Sequence, residues 1–328
     1  MLTAGPACRF ILSAEDSEAD AGSDAAEDCL PETAGTGPFA APTPIGGAFD
    51  PGDGQQIDED DPSLTADLLE MYFDSNRHLP GGDGAIWVSK RVSICDDWEA
   101  PERLRDLSLL HPNTSDPAIS PDGLTLWFAT ITEDPKDTSQ IIYVTTRVSR
   151  DTDAWAVPQR LSSLSSNQLV DGPGGISSDG RMFVLSSNRL NIGKMPIPTQ
   201  GVVNIFIATR TDTQQSDSWQ LAYLDGINTE CDDEGPHLSE DGRALVWSSP
   251  PAADECNADD RDLFIAVRAD TEMPFIRDTE LQNDFSEVNQ SDVFDSDPWL
   301  SADGSYLVLS RGAPGEARRI YHTSRTQQ

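Results

Sequence analysis

From about residue 59 onward the chain alternates short apolar runs with polar, Gly-rich punctuation. Four runs carry three large apolar residues in succession: Leu126-Trp127-Phe128, Phe183-Val184-Leu185, Leu245-Val246-Trp247 and Leu307-Val308-Leu309. Runs this short, with in–out alternation lost, read as strands covered on both faces. Each follows an Asp-Gly pair (Asp122-Gly123, Asp179-Gly180, Asp241-Gly242, Asp303-Gly304), which predicts a tight β-hairpin. A degenerate copy around Asp67 opens the series. A second apolar element follows each hairpin, at 86–91, 142–147, 205–210, 263–268 and 320–325, and always ends on Arg. A third follows at 98–104, 155–161, 219–224 and 275–281, and always opens on an aromatic residue.

These elements recur as a unit. The aspartates at 67, 122, 179, 241 and 303 stand 55, 57, 62 and 62 residues apart. Four strands per unit, repeated five times, predict an all-β, five-bladed β-propeller over residues 38–328. The fifth copy of the third element is missing after Arg325 and is found instead at 39–45, opening on Phe39. An N-terminal strand is therefore expected to complete the last blade, closing the ring and hiding an edge that would template aggregation.

The hairpins share a motif. Asp116-Pro-Ala-Ile-Ser-Pro-Asp-Gly123 recurs as Pro173-Gly-Gly-Ile-Ser-Ser-Asp-Gly180, Gly235-Pro-His-Leu-Ser-Glu-Asp-Gly242 and Asp297-Pro-Trp-Leu-Ser-Ala-Asp-Gly304. Asp-Pro-x-x-Ser-x-Asp-Gly ahead of an aromatic or aliphatic strand resembles the WD40-like repeat of TolB-type propellers. The resemblance covers about residues 39–328. It implies a bacterial periplasmic protein that binds partners without catalysis, and it speaks to fold more than to function.

Charge narrows the partners. Acids number 57 against 22 bases in 328 residues, a formal charge of −35. Such a field repels nucleic-acid phosphates and anionic lipid head groups. No apolar run approaches the ~18 residues of a membrane-spanning helix. Residues 1–37 are rich in Asp, Glu, Ala, Ser and Gly, too few of them large and apolar to offset ordering entropy, and read as an acidic tether. Cys8 ahead of that tether is a candidate for lipidation, with an ordinary N-terminus as the alternative. Cys231 and Cys256 flank the fourth hairpin and are expected to form a disulfide, with Cys29–Cys95 as a second pairing; a disulfide implies an oxidising compartment.

Candidate chemistry gathers where the first strands begin, near the central channel. Asp61, Asp116, Asp171, Glu234 and Asp297 stand there, and would crowd one mouth. They would bind a ligand or a hard cation such as Ca²⁺, with Asp61, Asp116 and Asp297 as the metal candidates, or else cap their own turns. After each Pro come Ser63, Ala118, Gly175, His237 and Trp299; His237 and Trp299 break the run of small residues and suggest a pocket for a sugar or a cation. The turn aspartates Asp122, Asp179, Asp241 and Asp303, and the strand-ending Arg91, Arg147, Arg210, Arg268 and Arg325, read as structural, paired Arg to Asp in each blade. The sequence carries no HExxH, GxSxG or Walker signature.

The expected function is a monomeric, non-catalytic binding or scaffold propeller of a bacterial envelope, lipid-anchored or secreted. It would hold a partner protein or small ligand at the channel mouth and its long loops, without a cofactor unless Ca²⁺ is one. The alternative is a five-bladed glycoside hydrolase or lyase using channel carboxylates.

Overall fold

Each predicted hairpin forms the inner half of a four-stranded antiparallel blade, and five such blades ring a central channel. The structure, a computed structural model, describes residues 35–49, 57–77, 84–104, 107, 113–131, 139–152, 154–165, 169–192, 195–199, 201–251, 256, 260–313 and 315–327. The chain enters through strand β1 (Thr43–Pro44). The first blade is β2 (Glu59–Leu64), β3 (Glu70–Ser75), β4 (Ala85–Lys90) and β5 (Glu102–Arg103). The second is β6 (Thr114–Ile119), β7 (Thr125–Ile131), β8 (Gln140–Thr146) and β9 (Gln159–Arg160). In the third, β10 (Asp171–Ile176) and β11 (Met182–Ser187) precede a small loop hairpin, β12 (Asn191–Ile192) and β13 (Met195–Pro196), before β14 (Asn204–Thr209) and β15 (Gln220–Tyr223). The fourth comprises β16 (Glu234–Leu238), β17 (Ala244–Ser249), β18 (Asp262–Val267) and β19 (Ile276–Arg277). The fifth comprises β20 (Phe294–Leu300), β21 (Tyr306–Gly312) and β22 (Arg319–Ser324), completed by β1.

The ring closes as the displaced element predicts. Thr43 pairs with His322, Pro44 with Tyr321, and Phe39 bridges to Arg325. The Gly37 amide also donates to the Thr326 carbonyl. The outermost strands are shorter than the third elements suggest: only Glu102–Arg103 of 98–104 pairs as strand. They lie on each blade's outer edge, and the opening aromatic turns inward instead.

That aromatic explains the recurrent arginines, and here the expected Arg–Asp pairing is corrected. Arg91 stacks over Trp98, Arg147 over Trp155, Arg210 over Trp219, Arg268 over Phe275 and Arg325 over Phe39, with ring-centroid distances of 4.2–4.8 Å. In the last four blades the Arg Nε donates to the carbonyl of the turn glycine, Gly123, Gly180, Gly242 or Gly304, at 2.7 Å. The turn aspartates are engaged elsewhere: Asp122, Asp179, Asp241 and Asp303 accept from the hydroxyls of Ser120, Ser177, Ser239 and Ser301 at 2.6–2.7 Å. Each aspartate thus tightens its own turn, and each arginine ties that turn to the outer strand. Arg147 and Arg325 do form ion pairs, with Glu70 and Asp284.

Cys231 and Cys256 are disulfide-bonded, with Cα atoms 4.9 Å apart and a sequence separation of 25. Cys95 is disulfide-bonded as well; Cys8 and Cys29 lie outside the described residues. A loop of this length contributes about 3 kcal/mol in the chain-entropy account. Cys231→Ser with Cys256→Ser is expected to lower the melting temperature by several degrees, measured against the same protein under matched non-reducing conditions. An unchanged midpoint would mean that the bond adds nothing to stability.

Candidate functional site at the channel mouth

The inner strand carries a bulge at its X-Pro step in four blades, and just past the proline, between Pro173 and Ile176, in the third. Proline has no N–H for the ladder, which favours a break in pairing there. The residue before Pro adopts left-handed backbone in four blades: Asp61 (φ 52°), Asp116 (φ 49°), Gly235 (φ 53°) and Asp297 (φ 48°). Aspartate is among the few side chains that tolerate this region. The third blade places Gly172 before its proline.

Glycine in two blades makes room for aspartate from the neighbour. A Cβ on Gly172 would meet a carboxylate oxygen of Asp116 at 2.9 Å, and one on Gly235 would collide with the Asp297 carboxylate. The aspartates of the first, second and fifth blades therefore converge on the axis with Glu234 of the fourth. With Asp60 they wall a cavity of about 190 Å³ that Phe294, Ser296 and Arg318 also line. Below it the five X-Pro prolines, Pro62, Pro117, Pro173, Pro236 and Pro298, narrow the channel to a space of about 30 Å³.

Two guanidiniums face the acids. Arg318 pairs with Asp60 at 2.5 Å and Arg261 with Glu234 at 3.0 Å, and both stack near Phe294, at 5.6 and 5.7 Å. Burial, then repulsion from Asp297, pushes the Asp60 and Asp61 carboxyls well above the usual carboxylate range. Asp74 sits beside Asp61, and burial followed by repulsion from Asp116 raises it to about 7. Burial raises Asp116 to about 6, against a hydrogen bond from Ser115. Burial also raises Glu234. Burial disfavours the Arg318 charge, but Asp60, Asp297, Asp61 and Asp74 outweigh it and hold the guanidinium firmly protonated.

Several candidates lie elsewhere. Asp171 is fully buried, accepting from Ser187 at 2.5 Å and from Arg189 at 2.6 Å, because Gly172 rather than Asp171 holds the pre-proline place. Trp299 turns into the core between the fifth and first blades, beside Leu64 and Tyr306, and does not line the channel. His237 lines the constriction, its ring 5.6 Å from that of Trp299, and its Nε2 lies 3.1 Å from the Leu300 carbonyl. Burial lowers its pKa to about 4, so it is neutral at physiological pH. Among the described residues no group of three or more His, Cys, Asp or Glu side chains is arranged to hold a metal ion. Sequence reasoning missed Asp74, Arg318 and Ser296. The signal for Asp74 was present: the residue opposite the pre-bulge position is Ala129, Ser186, Ser248 or Ser310 in the other blades, and Asp74 only in the first.

No protein-family model matches the chain, and no curated protein matches it. Among solved structures it is similar to the catalytic domain of the Coprinopsis cinerea GH62 α-L-arabinofuranosidase (9% identity, TM-score 0.56, covering 90% of this chain and 98% of that one). It is also similar to a Bacillus megaterium levansucrase mutant (11% identity, TM-score 0.55, 89% and 90%). A weaker likeness is to TolB from Acinetobacter baumannii (16% identity, TM-score 0.42); it covers 81% of this chain but only 54% of that one, so the chain spans about half of that TolB. At these identities the likenesses establish the fold, a five-bladed β-propeller, and nothing more. Among the described residues no helix is long and apolar enough to cross a membrane.

Proposed function

We propose that this propeller is a non-catalytic binding protein of a bacterial cell envelope that takes a ligand or partner at its channel mouth. The observation that carries the reading is the cavity of about 190 Å³, walled by carboxyl groups that inner strands from four blades hold in place. Concave sites with convergent polar groups on a rigid scaffold are where binding resides. The Cys231–Cys256 disulfide supports an oxidising compartment, and the TolB-type repeat motif supports the envelope.

A glycoside hydrolase is the second reading, favoured by one observation: Asp74 and Asp116 are lifted to about 7 and about 6, where a general acid operates. Against it, the cavity is smaller than the roughly 300 Å³ at which small-molecule sites begin.

Both readings are decided on one preparation. The protein is assayed for turnover of a panel of aryl glycosides and polysaccharides, and, immobilised, for retention of components of a bacterial envelope extract. The expected result is no turnover, with retention lost in Asp61→Asn/Asp297→Asn. Turnover abolished by that double substitution would establish the enzyme instead.

A further inference from the structure

We infer that the channel-mouth cavity takes an organic cation rich in N–H donors, a primary ammonium or a guanidinium group. The inference rests on the binding reading and names its ligand class.

Charge is the first argument. Five carboxyl groups line the cavity (Asp60, Asp61, Asp116, Glu234 and Asp297), Asp74 stands behind Asp61, and among the described residues Arg318 and Arg261 pair with two of them. Acids this crowded either repel one another or hold protons that a cation would displace. A bound cation removes that repulsion. Water, being neutral, does not.

The second argument is independent of charge. The Ser296 hydroxyl lines the same cavity, its residue is 3% exposed, and its Oγ has no hydrogen-bond partner. Asp60 Oδ1 is buried and unpartnered too. A buried polar atom left unpaired is costly. A hydroxyl and a carboxyl oxygen can both accept, so a ligand with several N–H groups would satisfy them.

Geometry then separates an organic cation from a bare metal ion. Gly172 and Gly235 let Asp116 and Asp297 lie back against neighbouring blades, and among the described residues no three His, Cys, Asp or Glu side chains are grouped as metal ligands. The cavity, about 190 Å³, holds roughly six waters' volume at ~30 Å³ each, enough for a guanidinium or alkylammonium head. A fork of several N–H groups reaches separated carboxylates at once, which a point charge cannot do. Phe294 adds an aromatic wall suited to a cation.

The test is isothermal titration at constant ionic strength. The probes are methylguanidinium, n-butylammonium, tetramethylammonium, Ca²⁺, xylotriose and a neutral-flanked peptide with one Arg. Methylguanidinium or butylammonium should bind saturably at one site, at least tenfold tighter than tetramethylammonium, which has the charge but no N–H. Asp61→Asn/Asp297→Asn should weaken that binding at least tenfold. Asn tolerates left-handed backbone, so the variant keeps the fold, checked by an unchanged circular-dichroism spectrum. Ser296→Ala should weaken it severalfold without changing net charge. Binding of the peptide as well would identify the source as a protein side chain; binding of the small probes alone would identify a free amine. Either outcome supports the inference. Ca²⁺ bound more tightly than every organic cation, tetramethylammonium bound equally well, or no cation bound at all would overturn it. Saturable xylotriose binding with silent cations would also overturn it while leaving the binding function standing.

Discussion

Removal of residues 1–46 is expected to abolish the cooperative thermal transition of the propeller, and Phe39→Ala alone to lower its midpoint by roughly 6–15 °C. The closing segment carries more than one strand's hydrogen bonds. The Ala40 amide donates to Ser324, Ile45 to Ile320 and Gly37 to Thr326, while Thr326 donates back to Pro38. Phe39 is 1% exposed, packs its ring 5.2 Å from Phe285 and lies 4.5 Å under the Arg325 guanidinium. Truncating such a Phe costs about 3–5 kcal/mol, and for a chain of this size each kcal/mol shifts the midpoint by ~2–3 °C. Ile45, also buried, is lost with the deletion. The sum approaches the whole stability of an ordinary domain, ~5–15 kcal/mol. Val157→Ala, at a side chain 75% exposed, is the control and should change little. If Phe39→Ala behaves like Val157→Ala, the closing strand is not what holds the ring.

Phe39 shows why so much of the fold was legible. A strand repeated five times in register can be missed once and still be located by its absence, and its aromatic residue found the arginine that four other blades assign to it. The partners of that arginine were less legible. Charge complementarity favours an Arg–Asp pair, but a serine two residues earlier already satisfies the turn aspartate in each of the last four blades, leaving the glycine carbonyl for the arginine.

The site was half legible for a different reason. Asp61, Asp116 and Asp297 stand out because each precedes a proline. His237 and Trp299 share the place after Pro in the repeat, just past a bulge that disturbs which face a side chain takes; His237 stays at the constriction. Trp299 packs between blades instead. Arg318 lies just before the last blade's third strand, outside every repeated motif, and only the closed ring carries it to Asp60 of the first blade.

The protein is expected to be more stable at pH 5.5 than at pH 8, by on the order of 2 kcal/mol, the reverse of a fold held mainly by surface carboxylate pairs. Asp74 moves from an ordinary 3.8 to about 7 and Asp116 from 3.8 to about 6, in both cases chiefly through burial. A carboxyl whose pKa is higher folded than unfolded binds more protons in the native state between the two values. Stability therefore falls as pH rises through that interval and is regained on acidification. Each proton that only the native state holds changes stability by about 1.4 kcal/mol per pH unit. That slope applies from pH 5.5 to about 7 for Asp74 and to about 6 for Asp116, and two neighbouring groups do not contribute their full sum. The gain has a lower limit. Asp67 and Asp303 are held below the ordinary value against the opposing effect of burial, Asp67 by Arg150 and Thr65, Asp303 by Ser301 and Ser305, so stability drops again once they protonate, below about pH 4. Melting temperatures measured from pH 4.5 to 8.5 at fixed ionic strength should thus fall across pH 5.5–8. Asp74→Asn with Asp116→Asn, which mimics the protonated pair, should raise the midpoint at pH 8 and flatten the slope. A midpoint that instead climbs from pH 5.5 to 8 in the unmodified protein would show that the mouth carboxylates are ionised and solvated in the free state, and that the cavity needs no cation to relieve it.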